Sequence, residues 1–440
     1  MAKVYPFCGL RYNNQKIQNI QELIAPPYDV VTKSIRDKFL LASPYNIFHL
    51  ELPKEDKKNN RNKYEHASVL LKQWRKESII IRDPLPCIYV YNIEFKVDNK
   101  YYTRQGIVAL VRVEPWETRI IRPHEKTFNK VTNDRLCLLE HTKTQFSQVF
   151  LLYKGNKKAG EILKDYSATL LYELKDYLGN THRLSSISDI ECAKRLHNLF
   201  KDLPMYIADG HHRYTTALNF SQKMKKILGD EPWRAYNYLM VYMVDVDDPG
   251  LLVLPTHRIV SLSNHDNVLN VIAKSKLFFD TKIQEVSNID QIGITRIKES
   301  LNSLRANTSF AVFYKEHDKI VSEIWTLKDS VFEELISTIP KPLAQLDVTI
   351  LNEIVFSKII QLDIEKEHDL SKISFTPDDN KLLTISDTQL FFMLNATKPE
   401  EVLRVSDEGL VMPHKSTFFY PKILTGLVMN SVSENDKVYL

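Results

Sequence analysis

Pro204-Met205-Tyr206-Ile207-Ala208-Asp209-Gly210-His211-His212-Arg213-Tyr214-Thr215-Thr216-Ala217-Leu218 is the stretch whose reading decides the fold. An apolar run over 204–208 has strand character, Asp209-Gly210 is a turn, and the pattern from about 212 to 228 is helical. Ala217, Leu218, Met224 and Leu228 fall on or near one face of that helix. Strand, tight turn and helix together aim free backbone N–H groups at one spot. The first turn of a helix has no internal acceptors for those donors, and the macrodipole adds partial positive charge. Arg213 in that first turn supplies a fixed cation suited to phosphate oxygens. Gly210 permits close backbone approach, and Asp209 suits a magnesium ion or the proton of a substrate hydroxyl. The bland alternative is that Asp209 only caps the helix and the histidines are solvated. Capping accounts for Asp209, but not for His-His-Arg on a first turn, where cations oppose the dipole unless an anion is present.

Outward from this unit, the N-terminal side reads as turns, hairpins and short helices. Ala25-Pro26-Pro27-Tyr28-Asp29 is a stiff loop. A helix is expected over 64–78, then a hairpin of 87–97 with 101–113 around Asp98-Asn99-Lys100. Asn133 is placed to cap a short helix through Leu139, and 149–153 reads as a strand. A second hairpin spans 169–184, and Ser188 with Glu191 has capping-box spacing. Apolar strands are expected over 236–245 and 251–260. Beyond about 264 the units become shorter and more charged. Helices are expected over 268–279, 294–304 and 351–360, a hairpin over 310–326, and a strand over 389–394.

The chain of 440 residues suits two or three domains. A net charge of +4 gives no support for wholesale nucleic-acid or membrane binding. Cys8, Cys87, Cys137 and Cys192 form no metal-binding or redox cluster. No apolar run approaches the ~20 residues of a membrane span, so a cytoplasmic protein with reduced thiols is expected. The chain lacks GxSxG, HExxH and a Walker lysine motif, which removes the familiar hydrolase templates.

The stretch 207–218 resembles the signature of a bacterial and archaeal family catalogued as domain of unknown function 1015. So do Ala25–Val30, Asn46–Pro53, His124–Thr127, Asp134–Leu136, Leu254–Arg258 and Met412–Lys422. The Gly-His-His-Arg turn is also similar to the nucleotide-phosphate motif of the ParB/sulfiredoxin superfamily, which includes free-serine kinases. That resemblance implies an α+β fold: a ParB/sulfiredoxin-like mixed α/β core with large insertions over 1–262, and a C-terminal α+β domain over 263–440 whose last loop returns to the site. It implies a nucleotide-dependent phosphotransferase acting on a small hydroxyl metabolite, with Mg2+ and ATP, ADP or CTP. The alternative is a non-catalytic nucleotide-binding regulatory module related to ParB proteins. The phosphate-site residues are then Gly210, His211, Arg213, Thr215, Thr216 and Lys126, joined by Lys415, Ser416 and Thr417. Asp209, Glu125, His212 and Glu51 are the catalytic candidates, with Glu125 the leading base, Glu51 next, and Asp209 the metal ligand. Tyr28, Asp29 and His124 are expected to hold substrate. His257 and Arg258, in an apolar strand, read as structural.

Overall fold

A computed structural model describes residues 2–284, 290–305, 308–317, 319–364 and 366–440. The chain divides into two compact units, Met1–Leu252 with Pro421–Leu440, and Val253–Tyr420. The last twenty residues thus belong with the first unit.

The first unit is built on a mixed nine-stranded sheet. In spatial order it runs Ile121–Arg122, Met205–Asp209, Val149–Tyr153, Tyr238–Asp245, Lys100–Arg112, Ile88–Val97, Thr181–Ile187 and Thr169–Lys175, with Val4–Tyr5 on the side of Lys100–Arg112. Met205–Asp209 lies parallel to Ile121–Arg122 and antiparallel to Val149–Tyr153. The hairpin of Ile88–Val97 with Lys100–Arg112 turns at Asp98 and Asn99, both with positive φ, the geometry that matches strand twist. Tyr238–Asp245 is buried at every position, as a strand covered on both faces must be.

Several local expectations shift by a few residues, each for a physical reason. The helix expected from Asn133 spans Asn129–Thr142, because its buried stripe Thr132, Arg135, Leu138, Leu139 and Thr142 starts before Asn133. Asp189, not Ser188, caps the helix Ile190–Phe200, accepting from the N–H groups of Glu191 and Cys192. The run 251–260 is two strands, Leu252–Leu254 and His257–Ser261, since Pro255 cannot donate to a ladder.

The second unit holds a six-stranded antiparallel sheet in the order Phe279–Ile283, Lys319–Leu327, Ser309–Glu316, Gln389–Met393, His257–Ser261 and Ile373–Thr376. Helices His265–Ser275 and Gln291–Ser303 lie where helical spacing placed them, with Phe279 already in a strand. Leu351–Ile360 is helical with π-type bonding.

Candidate phosphate site

The strand Met205–Asp209 ends in Gly210, at φ +92°, and the 18-residue helix His211–Leu228 starts directly after it. Its N-cap residue, Gly210, has no side chain with which to cap it, and its first turn carries no acid. Asp209 Oδ2 accepts from Arg213 Nη2 at 3.0 Å and its Oδ1 from Lys422 Nζ at 3.2 Å. Arg213 is 8% exposed and folds back over the glycine, so a Cβ on Gly210 would stand 2.8 Å from Arg213 Nε. Its Nη1 donates to the Gln148 carbonyl. Burial works against its charge, but Asp209, Asp29, Tyr28 and Glu51 more than offset that and hold the guanidinium above the usual arginine range.

Lys422 reaches Asp209 because the C-terminal segment is pinned on both sides. Arg104 Nη2 donates to the Pro421 carbonyl at 2.7 Å, and the Leu424 N–H donates to Tyr91 Oη at 3.2 Å. Reciprocal backbone bonds between Ala25 and Thr425 tie the same segment to the Pro26-Pro27-Tyr28 loop.

A second layer lies behind Arg213. The guanidinium of Arg135 donates through Nη1 to the Glu51 carbonyl at 2.7 Å, and the Tyr28 ring lies 4.7 Å from its central carbon. Ser147 Oγ donates to Glu51 Oε1 at 3.4 Å. Burial raises the Glu51 carboxyl above its ordinary range, against the opposing pull of Arg135 and Arg213. Burial likewise pushes the Tyr28 phenol up, with Asp29 adding to the shift. Glu51, Arg135, Ser147, Arg213 and Thr216 help line a cavity of about 50 Å³. That holds water, but is far below the ~300 Å³ of a small ligand's pocket.

The histidines form a third group. His211 Nε2 accepts from the His124 N–H at 3.1 Å, so a neutral His211 carries its proton on Nδ1, which faces Glu125 Oε2 at 3.8 Å. The two rings meet edge to face at 4.6 Å. Burial drives both below the ordinary histidine value, His124 to about 4. His212 accepts through Nε2 from the Phe128 N–H at 3.0 Å and stacks on the Phe128 ring.

The structure therefore gathers Tyr28, Asp29, Glu51, His124, Glu125, Asp209, His211 and Arg213 into one charge-coupled region. The two hydroxyls expected to donate near the helix start are committed elsewhere: Thr215 Oγ1 donates to the His211 carbonyl and Thr216 Oγ1 to the Thr132 carbonyl. Lys126 is exposed. Lys415, Ser416 and Thr417 belong to the second unit, where Ser416 Oγ donates to the Pro413 carbonyl and its own carbonyl accepts from Thr397 Oγ1. Arg135 and Ser147 are members that sequence reading passed over, and Lys422 reads only as the end of the 414–422 loop expected to fold back over the site, not as a partner of Asp209. Arg135 had a signal, a charged residue at helical spacing with Leu138 and Leu139. Lys422 had none that pairs it with a residue 213 positions away.

Magnesium does not fit Asp209 as a resident ion, because each carboxylate oxygen already faces a cation. Among the described residues no group of three or more His, Cys, Asp or Glu is placed to hold a metal ion. All four cysteines are free. Among the described residues no helix is long and apolar enough to cross a membrane.

The chain belongs to the family described as "Protein of unknown function (DUF1015)", which matches residues 4–349. No curated protein matches it. Among solved structures it is similar to a mutant free serine kinase in complex with ADP, at 11% identity and a TM-score of 0.36, over 76% of this chain and 91% of that one. It is also similar to C-terminally truncated SbnI from Staphylococcus aureus, at 10% identity and a TM-score of 0.34, over 72% and 85% of the two chains. A conserved hypothetical protein from Pyrococcus furiosus matches at 12% identity and a TM-score of 0.35, over 74% and 95%. Scores at this level carry no functional argument.

Proposed function

We propose that the first unit is a nucleotide-dependent phosphotransferase acting on a small hydroxyl metabolite, free serine or a similar polar alcohol, on a ParB/sulfiredoxin-like core. One observation carries the reading: a long helix begins on a glycine N-cap with no first-turn acid, beside two cations, Arg213 and Lys422, that share one carboxylate. A helix start of that kind is electrostatically unfinished until an anion arrives. The terminal phosphates of ATP, ADP or CTP are the proposed anion, on the amides of His211 to Arg213, with Lys422 as the cation that turns from Asp209 to phosphate.

In the transfer step the acceptor hydroxyl gives its proton to a carboxylate. Its oxygen bonds to the terminal phosphorus, and the bond from that phosphorus to the nucleotide breaks, so the nucleotide leaves one phosphate shorter. Glu51, raised by burial and braced by Arg135 and Ser147, suits the base, and so does Glu125, which faces the Nδ1 of His211. Magnesium enters this reading on the nucleotide's own phosphates, where it neutralises their charge.

The test is transfer from ATP, ADP or CTP to a pool of hydroxyl metabolites in the presence of magnesium. The Arg213→Ala, Asp209→Ala double variant, checked for folding by circular dichroism, is expected to lose about 100-fold or more. Full activity in that variant contradicts the reading. The burial of Arg213, with both Nη atoms engaged, favours a second reading in which the site holds a nucleotide without turning it over. Nucleotide binding with no transfer to any acceptor selects that one.

A further inference from the structure

In the second unit, Arg258 on the strand His257–Ser261 is 1% exposed. Its Nη1 donates to the Thr256 carbonyl and its Nη2 to the Lys415 carbonyl at 3.0 Å, and the Phe375 ring lies 5.5 Å from its central carbon. No carboxylate among the described residues pairs with it, and burial alone acts on its charge, lowering its pKa to about 9. A guanidinium so placed is in an unfavourable setting, because two carbonyl dipoles and a ring face replace water but bring no counter-charge.

Two further atoms point the same way. Arg258 Nε and Thr256 Oγ1 are buried without a hydrogen-bond partner, and Thr256 is only 6% exposed. Thr256 directly precedes the strand that carries Arg258, and its carbonyl accepts from Arg258 Nη1, so the two residues lie against each other. Nε and Nη2 together form the guanidinium edge that an oxyanion grips with two parallel bonds. On Arg258 that edge has one donor unused and the other on a loop carbonyl. Lys415, which supplies that carbonyl, has a left-handed φ of +57°, and its loop is held by Thr397 Oγ1 on the Ser416 carbonyl and Ser416 Oγ on the Pro413 carbonyl. The His414 ring meets the Phe375 ring edge-on at 5.9 Å, so the loop also packs against the ring beside Arg258.

We propose that Thr256, Arg258 and the loop 412–417 form a seat for a phosphate-type oxyanion, free or as a phosphate ester. The anion takes the Nε and Nη2 edge of Arg258, displaces the Lys415 carbonyl, and accepts from the Thr256 hydroxyl, with the Lys415 ammonium adding charge. A dianion matches this set of donors better than a carboxylate does. The proposal goes beyond the reading of the first unit and rests on residues of the second unit alone.

Titration calorimetry of the full chain tests it, with inorganic phosphate, a phosphate monoester and acetate as probes. The Lys422→Met background weakens the first-unit site, so the phosphate binding that is then lost on substituting Arg258 or Thr256 is the seat. In that background Arg258→Met is expected to weaken phosphate binding about tenfold or more, and Thr256→Val, which keeps the guanidinium, by a smaller factor. Acetate is expected to bind about tenfold more weakly than phosphate. A monoester that binds as tightly as phosphate supports an open seat for esters, and one that does not bind supports free phosphate. The proposal is overturned if Lys422→Met binds no phosphate, if Thr256→Val or a folded Arg258→Met binds like its parent, or if acetate matches phosphate. Should Arg258→Met not fold, the Thr256→Val result decides. Weakened nucleotide binding in Lys422→Met with phosphate binding retained separates this site from the first-unit reading.

Discussion

Arg213 and Arg258 are both buried, and the chain treats them in opposite ways. Arg213 is surrounded by charge of the other sign: Asp209 pairs with it, and Asp29, Tyr28 and Glu51 also favour its ionised form. Arg258 has carbonyls and a phenyl ring, and no carboxylate among the described residues. The first arrangement is balanced within the fold, and the anion it invites belongs to the helix start next to it. The second is unbalanced, and the anion it invites belongs to the arginine itself. Burial of an arginine therefore says little about its role until its partners are counted.

The largest expected effect separates the two directly. Arg213→Met strips a partly buried carboxylate of its closest cation and is expected to cost about 3 kcal/mol in denaturant unfolding. Arg258→Met removes a buried ion that had no counter-ion, and the change in phosphate-free buffer is expected to stay within about 1 kcal/mol. Equal losses for the two would break the comparison.

A smaller effect comes from the histidines beside Arg213. His124 has a folded pKa of about 4, below its unfolded value, so the folded state stays neutral where the unfolded chain takes up a proton. Its contribution is complete above about pH 6.5 and is lost as pH falls towards 4, at about 1.4 kcal/mol per pH unit. Unfolding measured between pH 7 and pH 5 is expected to show this slope added to that of His211, and His124→Phe to reduce it. A slope unchanged by the substitution assigns it to other groups.

Gly210→Ala sharpens the comparison further, because the Arg213 fold-back depends on a bare Cα. The left-handed φ and the 2.8 Å approach of Nε are expected to cost about 1–2 kcal/mol together. A crystal structure of the variant would show Arg213 displaced from Asp209. An undisturbed ion pair at wild-type stability would argue that the glycine is dispensable.

The strand, turn and helix at 205–228 were legible because one apolar run and one amphipathic pattern meet at a glycine, all within local chain. The two hairpins were legible for the same reason. What escaped reading is non-local or lacks a deep apolar stripe. The helix Lys33–Ala42 has no fully buried residue, so the opening segment read as turns. Proximity of Arg135 to Glu51, and of Lys422 to Asp209, is set by the packing of distant segments and leaves no mark in spacing. Arg258 read as structural because a strand pattern shows which side chains are covered but not whether a buried cation has a partner. The 412–422 stretch reads as one loop, yet Lys415, Ser416 and Thr417 belong to the second unit while Lys422 lies in the first. Only a fold can divide such a segment.

The most direct test of the central claim is calorimetric binding of ADP, with magnesium, to the wild-type chain and to Lys422→Met. The glycine-started helix with its two cations predicts saturable binding to the wild type, weakened about tenfold or more when Lys422 loses its charge. No binding to the wild type, or equal affinity in both proteins, would contradict it.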